Sequence, residues 1–320
     1  MKLKGEILIS GGGGFIGANL AHRLCRLGLR PHLLLRKGGS DWRIASIRKN
    51  VRLYECDITD ETKIHRLVKQ IKPKYIFHFA TYGGYSFQED RKKILQVNLW
   101  GTFQLLNACL RHGFQLFVNN GSSSEYGFKN FPCDEETLLE PNSYYAVTKA
   151  SATLYCQYVA NAFNQPIITF RLYSVYGPYE EPARFIPTLI RSAFRKRTPP
   201  LVSPRIARDF IHVDDVMDLY LQTLKRNSTV GDIFNVGTGK QSSIHDVVST
   251  VSRLTGAKFK LNWGSMKKRI WDTNIWACNN GKVKRFFKWK PQYNLKSGLE
   301  KTIEWYRANP HFLDTRLSVQ

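Results

Sequence analysis

Glu6-Ile-Leu-Ile-Ser10 runs directly into Gly11-Gly-Gly-Gly14-Phe-Ile-Gly17. An apolar stretch of strand length, then a glycine loop opening a helix, reads as the start of a dinucleotide-binding unit, because free amides at the helix start hold a pyrophosphate. Outward from this point, apolar runs alternate with longer amphipathic stretches, the pattern of a parallel sheet covered on both faces. Strands are expected at Glu6–Ser10, His32–Leu35, Val51–Cys56, Tyr75–Phe79, Leu116–Asn119 and Ile167–Leu172, with helices starting near Gly14, Asp60, Gln88 and Asn142. The expected class is α/β, a Rossmann-like doubly wound parallel sheet. Ligands of such folds lie beyond the carboxyl ends of the strands, so Ser10, Arg36, Asp57, Ala80 and Asn120 should ring the cofactor. Past Leu172 the pattern loosens into Gly177-Pro-Tyr-Glu-Glu-Pro182 and Thr198-Pro-Pro200, with a basic helix between them.

Further along stands Tyr145-Ala-Val-Thr-Lys149. Four residues are one helical turn, which puts both side chains on one face. An ammonium beside a phenol favours phenolate and draws a group of reference pKa about 10 towards working pH. Of the fifteen tyrosines only Tyr145 has a lysine four residues on, although the pair alone also reads as a solvated helix face. Ser122, after the strand Leu116–Asn119, would present its hydroxyl at the sheet edge to a substrate oxygen; Gly121-Ser-Ser-Ser124 is equally a turn composition. A proton donor beside a dinucleotide suggests hydride transfer. His78 and His212 lie inside strand-like motifs and read as core or supporting residues.

The 320 residues, 42% apolar, are ordinary for a globular enzyme core with a smaller lobe. No apolar run approaches the roughly 20 residues that span a bilayer, so no membrane partner is expected. The start of the chain does not read as a signal peptide. The six cysteines (25, 56, 109, 133, 156 and 278) have no two-residue spacing, which suits reduced thiols, a cytoplasmic protein and no structural metal. A net charge of +23 raises the question of nucleic acid, but Arg91-Lys-Lys93, Arg195-Lys-Arg197, Lys267-Lys-Arg269 and Lys282-Val-Lys-Arg285 are scattered. They read as solvated faces that help attract a diphosphate, and nucleic acid is not the expected partner.

Read in order, the glycine loop, Asp57-Ile58, His78-Phe-Ala80, Asn98-Leu-Trp-Gly-Thr102, Ser122, Tyr145 and Lys149 resemble the extended short-chain dehydrogenase/reductases, specifically the nucleotide-sugar epimerase/dehydratase family. The resemblance continues through Arg171-Leu-Tyr-Ser-Val-Tyr-Gly-Pro178, Arg208-Asp-Phe-Ile-His-Val-Asp-Asp215 and Phe234-Asn-Val-Gly-Thr-Gly239, almost end to end. It implies a dinucleotide-binding domain of residues 1–172 plus about 212–256, and a nucleotide-sugar-binding lobe of about 173–211 plus 257–320. It makes Ser122, Tyr145 and Lys149 catalytic. Gly11, Gly14, Phe15, Ile16, Gly17, Asp57, Ile58, Phe79, Ala80, Thr81, Asn98, Tyr145 and Lys149 would meet the cofactor. Tyr82, Ser123, Ser124, Ser174, Phe185, Arg208 and Arg269 would meet a nucleotide-diphosphate sugar, the two arginines at the diphosphate. A homodimer built on the helices near Gln88–His112 and Asn142–Phe163 is implied as well.

Three departures shape the expected activity. Where 4,6-dehydratases carry an aspartate and a glutamate directly after the catalytic hydroxyl, this chain has Ser123 and Ser124, which demotes dehydration; Glu125 lies one position later. At the end of the second strand, where an acidic residue would accept a ribose 2′-hydroxyl, Arg36 stands with Lys37 and Ser40, a set suited to a 2′-phosphate. NADP(H) is therefore the expected cofactor, with NAD(H) the alternative. Ser174 replaces an asparagine of relatives near the diphosphate. The expected function is reduction of a nucleotide-linked 4-keto-6-deoxyhexose, the alternative a 4-epimerase on retained NAD. A non-catalytic nucleic-acid-binding relative would generally have lost the tyrosine or lysine that this chain keeps.

Overall fold

The structure, a computed structural model, describes residues 3–225, 230–266 and 273–314. Its strands are β1 (Ile7–Ser10), β2 (His32–Leu35), β3 (Arg52–Glu55), β4 (Tyr75–His78), β5 (Leu116–Ser122), β6 (Ile167–Leu172), β7 (Ser174–Tyr176), β8 (Ala207–Arg208), β9 (Phe210–His212), β10 (Ile233–Val236) and β11 (Ser242–Ser243). The helices are α1 (Phe15–Arg26), α2 (Glu61–Ile71), α3 (Arg91–Leu95), α4 (Gly101–Leu110), α5 (Tyr144–Phe163), α6 (Phe185–Phe194), α7 (Val213–Thr223), α8 (Ile244–Thr255), α9 (Gly281–Phe287) and α10 (Leu295–Ala308). Seven strands form one parallel sheet in the order β10-β6-β5-β4-β1-β2-β3. The order reverses between β1 and β4, which opens the crevice where such sheets bind ligands.

All four residues of β1 are buried, as a strand covered on both faces requires. One face carries Ile9, Leu20, Val216, Tyr220 and Phe234 under α1 and α7, the other Leu8, Ile64, Ile76, Leu105 and Cys156 under α2, α4 and α5. A third cluster, with Leu189, Ile190, Val247, Val251, Leu299 and Ile303, joins α6, α8 and α10. These clusters divide the chain differently from the boundaries expected above. The apolar face of α8 packs in the smaller lobe, while Val283, Phe287 and Trp289 join the sheet core, since each segment buries its apolar stripe where a complementary face lies.

Strand β5 also runs three residues further than expected, because its pairing with β6 continues to Ser122 opposite Leu172. None of the described helices is long and apolar enough to cross a membrane.

Candidate active site

Ser143 caps α5, its hydroxyl accepting from the Ala146 amide at 3.1 Å. Tyr145 is thereby fixed in the first turn and Lys149 in the second, half-buried and buried respectively. Ser122, the last residue of β5, lies beside the Tyr145 phenol and favours its anion. The structure thus brings the three expected residues together, with one difference from the expected electrostatics. Burial pushes the phenol above its usual value, and the chief influence drawing it down is the neighbouring Ser122 hydroxyl. Burial also brings Lys149 down to about 8, against the raising effect of its counter-charge, Glu125.

Glu125 is fully buried and committed. One oxygen accepts from the Ser122 amide at 2.7 Å and the Thr153 hydroxyl at 3.1 Å; the other accepts from Arg171 Nε at 2.8 Å. Arg171 in turn donates to the Tyr126 hydroxyl, which donates to Asn235. A carboxylate held this way is scaffolding behind Ser122 and Lys149.

On the cofactor side, no side chain caps α1, which starts after Gly14, whereas Asp60 caps α2. Gly11 has φ +67°, and a Cβ on Gly17 would lie 2.4 Å from the Gly11 carbonyl oxygen, so helix and loop approach as only glycines permit. Phe15 and Ile16 form the first turn, half-buried. Uncapped amides above a glycine cradle fit a pyrophosphate.

Arg36 and Ser40 lie half-buried beyond β2, with Lys37 exposed between them. Asp41, the first acid after β2, is ion-paired to Arg48. Asp57 spends one carboxylate oxygen on the Thr59 amide and hydroxyl at 2.9 and 2.7 Å. Ile58 is buried beneath Gly101, and Phe79 packs edge-on to Tyr220, so both shape the wall from behind.

Asn98 departs from expectation. Its carbonyl accepts from Thr81 Oγ1 at 3.0 Å and the Tyr82 amide at 2.7 Å, while its amide donates to the Tyr82 carbonyl at 2.8 Å and Thr148 Oγ1 at 3.0 Å. All four of its hydrogen-bonding positions are used, so it fastens the 81–85 loop to α5 rather than offering a cofactor contact. Behind it Thr102 donates to the Asn98 backbone carbonyl, and therefore accepts from His78 Nε2 at 2.8 Å; Nδ1 then accepts from Ser10 at 2.7 Å. Burial brings His78 down to about 3, a neutral core residue as expected.

The substrate side rests on contacts invisible in the motifs. Ser123 accepts from Trp276 Nε1 at 3.0 Å, and the same indole lies under Arg208, whose Cζ is 5.0 Å from the ring centroid. Arg208 Nη1 also donates to the carbonyls of Ala207 and Thr273. Ser124 donates its amide to Ser122 Oγ, Ser174 pairs its amide with the Asp209 carbonyl, and Phe185 leans on the third apolar cluster. Lys93 stands over the Tyr82 ring. Arg269 lies outside the described residues.

A charged belt also escaped sequence reading. Arg43 and Glu181, both buried, pair at 3.0 Å, and Arg43 further donates to the carbonyls of Tyr179 and Gly13. Next to them burial lifts the Glu180 carboxyl to about 8, opposed by Arg184 at 3.7 Å. Arg184 reaches the Gly84 carbonyl and stands over Tyr85, beside Tyr145. Only the pattern Glu-Glu-Pro-Ala-Arg hinted at this group.

The family model described as the NAD dependent epimerase/dehydratase family matches residues 7–237. The chain belongs to this family. Members are enzymes of the short-chain dehydrogenase/reductase type, and similar members carry different activities. A UDP-glucose 4-epimerase of Oryza sativa subsp. japonica is 26% identical over 95% of this chain and 90% of its own length. A dTDP-glucose 4,6-dehydratase of Mycolicibacterium smegmatis is 28% identical over 95% of this chain and 94% of its own. The crystal structure of a Bacillus anthracis dTDP-glucose 4,6-dehydratase in complex with NAD superposes with a TM-score of 0.86 at 26% identity, covering 96% of this chain and 97% of that one.

Proposed function

We propose that this epimerase/dehydratase family member is an NADP(H)-dependent reductase of a nucleotide-diphosphate-linked 4-keto-6-deoxyhexose. The observation that carries the reading is the fully bonded state of Glu125: with serines at 123 and 124, no free carboxyl group among the described residues next to Ser122 in the chain is left to run an elimination. The bound dihydronicotinamide supplies the hydride. Tyr145 gives its proton to the carbonyl oxygen; burial keeps the phenol protonated, and so loaded as the donor, while the Ser122 hydroxyl offsets part of the cost of the anion it leaves. Ser122 polarises the same oxygen, and Lys149 compensates the negative charge left on Tyr145. Arg36 beyond β2, with Asp41 engaged by Arg48, favours a 2′-phosphate over a 2′-hydroxyl. Arg208 supports recognition of the diphosphate.

NADPH oxidation with a dTDP- or UDP-4-keto-6-deoxyhexose, followed at 340 nm, tests the reading; absence of consumption with either nucleotide would sink it. The second reading, a 4-epimerase on retained NAD, is favoured by the relatives, one of them solved with NAD. Stoichiometric NAD released from denatured protein, with no NADPH turnover, would establish it. We also propose a cytoplasmic homodimer. Leu95, Trp100, Val147, Leu154 and Tyr158 are each at least 45% exposed on the α3–α5 surface, apolar area that a second copy would cover. Sedimentation at the monomer mass would refute it.

A further inference from the structure

We propose that Trp276 is a positioning residue: its indole edge makes Ser123 a hydrogen-bond donor to the sugar, while its face holds Arg208 for the diphosphate. The inference rests on the nucleotide-sugar reading above. An indole N–H only donates, so at 3.0 Å Ser123 Oγ is the acceptor. Among the described residues Ser123 makes no other side-chain hydrogen bond, which leaves its proton for a ligand. Ser123 directly follows Ser122 at the carboxyl end of β5, the end of the sheet where the carbonyl-activating hydroxyl stands, and its proton is assigned to an oxygen acceptor of the sugar.

The indole is held in place by its backbone. The Trp276 amide donates to Gln241 Oε1 at 2.8 Å, Gln241 Nε2 donates to the Asn274 carbonyl at 3.1 Å, and the Cys278 amide is bonded to Asp209. Core packing does not account for the residue, since Trp276 is half-buried and outside all three apolar clusters. One side chain thus couples residues 123 and 208, which approach the cleft from separate segments.

Trp276→Phe keeps a ring beneath Arg208 and removes the N–H; Ser123→Ala removes the acceptor. Each is expected to lower kcat/KM for a dTDP- or UDP-4-keto-6-deoxyhexose by about tenfold, the scale of one net hydrogen bond. The double variant should fall no further than either single one. Calorimetry should give free dTDP or UDP the same Kd in wild type and Trp276→Phe. Trp276→Leu should weaken that Kd by about threefold or more through loss of the cation–π contact. Additive losses in the double variant, unchanged kcat/KM in Trp276→Phe, or equal weakening of free nucleotide and nucleotide sugar would each overturn the proposal. Failure of wild type to bind either nucleotide would instead defeat the functional reading beneath it.

Discussion

Ser122, Tyr145 and Lys149 hang from β5 and α5, elements whose backs are buried in the sheet core and bound together by Glu125. Ser123, Arg208 and Trp276 come from a tight turn, a two-residue strand and an irregular segment, and contact one another and nearby carbonyls. On the proposed function, the wall that would handle the proton is built to be unyielding, and the wall that would recognise the substrate is an assembly of separable parts. Loops change with little cost to the fold, so members of one family can share proton chemistry and differ in sugar.

The contrast can be broken most directly at Tyr145. Tyr145→Phe should leave the melting temperature unchanged and lower kcat by about 100- to 10,000-fold, the range for a lost general acid. Retained turnover would remove the proton wall from the mechanism. Next, Glu125→Ala should destabilise the protein by about 3–5 kcal/mol in urea titrations, because Arg171 is left charged and buried without its partner. Arg208→Ala, on the other wall, should change stability by about 0.5 kcal/mol or less while weakening nucleotide binding. Equal stability losses would erase the distinction. Arg36→Asp should raise the KM for NADPH by about tenfold, as loss of a charge-assisted contact does, and improve NADH.

The smallest effect is a shift of a pH limb. Lys149 has its ammonium below about 8 and loses it above, so kcat/KM should fall as pH rises through that value. Glu125 opposes the lowering; Glu125→Gln should therefore move the limb to lower pH. A limb that stays in place would detach Glu125 from Lys149.

Legibility in the sequence follows the same division. Strands His32–Leu35 and Ile167–Leu172 lie where the apolar runs place them, and the glycine loop sits at the start of α1, because these features are encoded within a few residues. Ser122, Tyr145 and Lys149 could be singled out because the one-turn spacing of the pair and the order of motifs along the chain together resemble the family. Trp276 could not, since 153 residues separate it from Ser123 and no local period encodes such a pair. Asn98 shows the converse case: its motif position was visible, but only coordinates reveal that its side chain is used up within the protein. The fate of Glu125 and the level of the Tyr145 phenol were hidden for a related reason, as both depend on depth of burial.

The Arg43–Glu181 pair sets a mechanical limit. It links the glycine loop to the segment that leads into α6, with Trp42, Tyr179, Trp305 and Phe312 packed together beside it in tilted and edge-on contacts. Swinging these parts aside would separate two buried charges, at a cost of several kcal/mol. The pair therefore sets the separation between the glycine loop and the segment leading into α6.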